Sequence, residues 1–121
     1  MSNARLAKMI YLLQQRTDEQ KIVWENTVFE DVYQVAFPSH VVQVGHRIPD
    51  PDSAFRDEEV YFIRILDEQH TMIEEATNVH LKDELENSYR TMENLYRSAR
   101  GQAMGVDKAI NSILSELQNH D

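Results

Sequence analysis

The chain contains no cysteine. Disulfides, thiolate metal sites and thiol nucleophiles are therefore excluded. Glycine is scarce, and Gly45, Gly101 and Gly105 are the whole supply. Three glycines spread this widely build no glycine-rich phosphate loop. No G-x-S-x-G elbow and no HExxH pattern is present. Long apolar runs are missing too. Nothing approaches the roughly 18 apolar residues of a membrane span, so no membrane contact is expected. The apolar run from Met9 to Leu13 is too short for a signal-peptide core, and no small-residue cleavage site follows it. A cytoplasmic location is the expectation.

Positive charge is also in short supply. Lysine and arginine number 12 against 21 acids, a net charge of −9. The imbalance is local. Residues 25–93 hold 16 acids and 5 bases, whereas residues 1–24 hold 4 bases and 2 acids. Residues 94–121 carry 3 of each. Direct binding to a nucleic-acid backbone needs clustered Lys and Arg and is not expected. An acidic middle suits solubility and a basic protein partner.

What the chain does have is a long apolar stripe. Between Val79 and Gln118, the residues Leu85, Met92, Ala99, Val106 and Ile113 recur every seven. Tyr89, Tyr96, Ala103, Ile110 and Leu117 lie four further on. Side chains four apart share a helix face, so residues 79–118 read as a helical region with one broad apolar side. Unbroken, it would run about 60 Å. A compact domain of this size has a radius of gyration of about 13–14 Å. Either the helix breaks near Gly101–Gly105, or it protrudes and a second chain covers its stripe. The two glycines, each costing about 1 kcal/mol inside a helix, favour the break. Asp107 is the expected N-cap of the segment beyond it.

The rest of the chain reads in order. Residues 1–24 are a helix and a turn, with Leu6, Met9, Ile10 and Leu13 on one face. Trp24 is the expected core anchor. Residues 28–76 alternate with the period of strands. Tyr33, Val35 and Phe37 form one strand, Val42 to Ile48 the next, Val60 to Leu66 a central one, and Thr71 to Ala76 a fourth. Pro49 to Glu59 is a loop. The fold class is α+β in a single domain: an N-terminal helix, a four-stranded antiparallel β-meander, and a helical region packed on the sheet.

Catalysis finds little support. His40, His46, His70, His80 and His120 include no i, i+4 pair, and His40, His46 and Asp50 are the nearest approach to a ligand set. No metal and no other cofactor is expected. Adjacent carboxylates are numerous because the composition is acidic, and none is marked as a general acid or base. The expectation is a non-enzymatic, homo-oligomeric binding or regulatory protein.

Two sets of residues carry its possible sites. In the first, the acidic loop residues Asp50, Asp52, Asp57, Glu58 and Glu59, with Phe55 among them, present a surface to a basic protein partner, as an immunity or inhibitor protein would. In the alternative, Tyr89, Arg90, Tyr96, Arg97 and Arg100 hold a nucleotide-like anion, with a ring stacking and guanidinium groups forking onto phosphate.

Overall fold

The computed structural model describes residues 3–48 and 59–119. Helix α1 (Asn3–Asp18) leads into a five-stranded antiparallel sheet of β1 (Glu25–Asn26), β2 (Val32–Ala36), β3 (Val41–Arg47), β4 (Val60–Leu66) and β5 (Met72–Thr77). Two helices follow, α2 (Ser88–Met104) and α3 (Val106–Gln118). Strand order in space equals order in sequence, so the sheet is a meander. The class is α+β, but the strands number five rather than four. The added strand is Glu25–Asn26, which pairs with Gln34 and Tyr33. Two polar residues have no period to read, and only pairing makes them a strand.

Alternation sorts the sheet into two faces. Tyr33, Val35, Val42, Val44, Tyr61 and Ile63 face α1 and α2 and form the core with them. On the other face, Gly45 of β3 lies beside Phe62 of β4. A Cβ on Gly45 would sit 2.1 Å from the Phe62 ring. That ring fills the space the glycine leaves, and the guanidinium groups of Arg64 and Arg47 lie over it at 4.1 and 5.1 Å. A polar row crosses the same face: the Gln43 amide donates to Gln34, the Gln34 amide donates to Glu25, and Arg64 pairs with Glu75 at 2.6 Å. Burial raises the Glu75 carboxyl, but the hydrogen bond and charge of Arg64, with Arg47, outweigh burial and hold it below its usual range.

Helix α1 turns Leu6, Ile10, Leu13 and Thr17 inward at helical spacing. Trp24 is 1% exposed and is indeed an anchor. Its indole N–H donates to the Thr17 hydroxyl at 2.9 Å, and its backbone N–H donates to the Gln102 side chain at 3.0 Å. The Gln102 amide in turn donates to the Thr17 carbonyl at 3.3 Å, which ties the ends of α1 and α2 together.

The helical region departs from expectation at its start. Residues 79–87 form turns, and α2 begins only at Ser88. Leu81 and Leu85 are fully buried, so the stripe residues are used, but on turns that mix i+3 and i+4 bonds. Asn78 stops the segment from starting as a helix: its side-chain oxygen accepts from the Tyr61 backbone N–H at 2.9 Å, and its carbonyl accepts from the Ser88 hydroxyl at 2.7 Å. Asn87 then adopts φ 48°, a left-handed conformation asparagine tolerates. The break further on falls at Gly105, with φ 67°, which ends α2 and starts α3. Gly101 stays inside α2, and Asp107 lies in the first turn of α3 rather than at its cap, where its charge still complements the helix dipole.

Candidate functional site

The largest gathering of functional side chains lies where α2 crosses the ends of β2, β3 and β4. Helix spacing brings Tyr89, Glu93 and Tyr96 to one side of α2. Strand alternation brings Tyr33, His46 and Tyr61 to meet them, and His46 and Tyr61 are direct cross-strand partners. The His46 ring stacks on Tyr61 at 4.7 Å between centroids. Tyr96 lies 5.3 Å from Tyr61 and 5.7 Å from both His46 and Tyr33. Tyr89 meets the Tyr61 ring edge-on at 5.3 Å.

Three phenols of this cluster are each held by a carboxylate. The Tyr96 hydroxyl donates to Asp31 at 3.1 Å, Tyr61 to Glu93 at 3.3 Å and Tyr89 to Glu59 at 3.4 Å. Glu59 also meets His46 Nε2 at 2.6 Å. Burial, followed by the charge of Glu93, pushes the Tyr61 phenol up to about 12. Burial and Asp31 raise Tyr96 further, and desolvation with Glu59 raises Tyr89. At neutral pH the phenols stay protonated and donate. The rim of the cluster therefore presents Tyr89, 39% exposed, beside the carboxylates of Glu59 and Glu93.

Of the arginines expected beside these tyrosines, Arg97 reaches the cluster through Glu93. Arg90, Arg97 and Arg100 are exposed, and Arg97 meets Glu93 at 3.6 Å with its side chain 73% exposed. Tyr96 is buried in the core and offers no open ring face. Of the acidic loop, Asp50, Asp52, Phe55, Asp57 and Glu58 lie outside the described residues, while Glu59 forms the rim just noted. His46, Tyr61, Glu93 and Asp31 were absent from the sequence-based site. Their signal was the shared face of Val42, Val44 and His46 set against that of Tyr61 and Ile63, which needs the strand register to read.

Two of the apolar surfaces among the described residues lie on helices. A groove of about 460 Å³ runs along α1, with Met9, Leu12, Leu13 and Phe37 as floor and Arg5, Lys8 and Arg16 on its rim. The second is α3, no residue of which is buried. Among the described residues no group of three His, Asp or Glu is placed to hold a metal ion, and no helix is long and apolar enough to cross a membrane.

No protein-family model, curated protein or solved structure matches the chain.

Proposed function

We propose that the chain is a small acidic, non-catalytic binding protein that associates with itself and regulates or neutralises a basic protein partner. The observation that carries the partner-binding reading is the rim of Tyr89, Glu59 and Glu93. A half-exposed tyrosine held in place by neighbouring rings, with carboxylates beside it, suits an arginine or lysine from a partner, which gains both cation–π and charge-assisted contacts. Glu59 is continuous in sequence with the acidic stretch 50–58, whose charge adds to the steering of the same partner. Catalysis is not part of this reading: the phenols are held protonated, and each carboxylate in the cluster already accepts from a tyrosine.

Affinity selection from a displayed random-peptide library tests it. Arg- and Lys-rich peptides should be enriched. Tyr89→Ala and Glu59→Lys should each weaken the selected peptides by about tenfold or more, about 1.4 kcal/mol. Raising salt from about 0.01 M to about 1 M shortens the screening length from about 30 Å to about 3 Å and should weaken them again. Peptides enriched without basic residues, or bound equally by both variants, would refute the reading.

A further inference from the structure

Helix α3 has an apolar seam that nothing among the described residues covers. Val106, Ile110, Ile113, Leu114 and Leu117 are between 38% and 65% exposed. The 4–3–4 spacing of Val106, Ile110, Ile113 and Leu117 continues, in phase, the spacing that α2 buries through Met92, Tyr96 and Ala99. Among the described elements, only α2 neighbours α3. At 100° per residue, Asp107 and Glu116 flank the seam on its two sides, and Lys108 lies opposite it. The seam is thus apolar between two acids.

The α1 groove is the counterpart: an apolar floor between cations. Arg16 shares its charge with Glu19 at 2.9 Å, while Arg5 and Lys8 form no ion pair among the described residues. The 13 residues of α3 span about 20 Å and the 16 of α1 about 24 Å, so seam and groove match in length.

We propose that α3 of one copy docks in the α1 groove of a second copy, and that the second copy returns its own α3 to the first. The inference rests on the self-association reading above and names the contact that performs it. Charge selects this occupant. Two copies at −9 each repel, and residues 1–24, with 4 bases against 2 acids, set a surplus of bases beside an apolar groove to draw them together. Pairing α3 against α3 sets acids beside acids, with Lys108 on the far side of each helix. Area favours exchange as well. One short helix in one groove falls near or below the about 1,000 Å² that a specific interface needs, and a reciprocal pair doubles it. The two-fold arrangement also closes on itself and leaves no free seam.

The absence of cysteine makes a direct test clean. Gln15→Cys, beside the α1 groove, and Ala109→Cys, beside the α3 seam, are made as separate proteins, mixed, and joined with a short bismaleimide. Light scattering gives the mass, and mass spectrometry identifies the joined positions. A dimer whose main product joins position 15 to position 109 is the expected result. A dimer joined mainly 109 to 109, or giving neither product, overturns the docking and leaves self-association standing. A monomer at every concentration overturns both. Two further variants guard against loss of fold, since none of the substituted side chains is buried: Leu12→Glu in the groove and Ile110→Glu with Ile113→Glu in α3. Each alone should weaken the dimer by about a hundredfold or more. Mixing the two should recover a weaker dimer, because one of the two contacts is then intact. A groove variant that associates as well as the parent chain also overturns the docking.

Discussion

Gly45 shows how one missing side chain sets its neighbourhood. The Phe62 ring lies where a Cβ would be, and Arg64 and Arg47 lie over that ring. Gly45→Ala should therefore destabilise the fold by about 1–3 kcal/mol, as overpacking does. Pairing it with Phe62→Leu should recover part of that loss, and the non-additivity is read from urea midpoints of the two single variants and the double. At the α1–α2 junction, Gln102→Ala leaves the Trp24 backbone N–H without its acceptor. The expected cost is about 1–3 kcal/mol in the same measurement. Titration adds a signature. Folding holds the Tyr61 proton to about 12 against 10.0 when unfolded, so folding favours the neutral phenol. Stability should be complete below about pH 10 and fall as pH rises from there toward about 12, a slope that Tyr61→Phe should reduce. Glu75 behaves in the opposite sense. Its carboxyl is held below 4.5, so its contribution is present above that pH and is lost as pH falls through the lower folded value. A residue such as Trp24 declared its place in the sequence, because a lone tryptophan beside Ile22 has few other uses. His46 and Glu93 did not, because their roles come from neighbours on other strands and on α2.

At the level of elements, periodicity was informative wherever packing followed it. Strand β4 occupies Val60–Leu66 as its run of apolar residues predicts, and α1 occupies Asn3–Asp18 within the helix and turn expected over residues 1–24. The break in the C-terminal region fell at a glycine with positive φ, the position where a side chain costs most. Gly105→Ala should accordingly cost about 1 kcal/mol and redirect α3 relative to α2, which is checked by thermal melts and by the mass of the protein in solution. The error at residues 79–87 has a physical cause. Leu81 and Leu85 keep helical spacing, yet Asn78 bonds both to Ser88 and to Tyr61 of β4, and local polar bonds of this kind compete with helix formation. Strand β1 was illegible for the opposite reason, since Glu25 and Asn26 carry no pattern and are placed by pairing with β2 and by the bond from the Asn26 amide to the Ala103 carbonyl of α2.

For the whole molecule, the contacts that close the fold are the most distant in sequence. Asn3 bonds to the His80 carbonyl, Gln14 to Ser98 and Trp24 to Gln102, separations of 77 to 84 residues. The sheet, by contrast, joins only consecutive strands. The charge map is uneven as well, with a basic surplus in residues 1–24 and an acidic surplus in residues 25–93. Composition alone revealed that asymmetry. It did not reveal that the surplus bases border an apolar groove, because Phe37 reaches the groove from the β2–β3 turn.

Gly105 separates a helix that is buried from one that is not, and this joins shape to concentration. An isolated helix of 13 residues is marginal in water, where about 12–15 residues are needed even for good formers. In the dimer proposed above, coverage by another copy supplies what local propensity does not, and helical content then depends on how much protein is present: dilution should lower far-ultraviolet ellipticity and speed amide exchange in residues 106–118 while leaving the exchange of β3 and β4 unchanged.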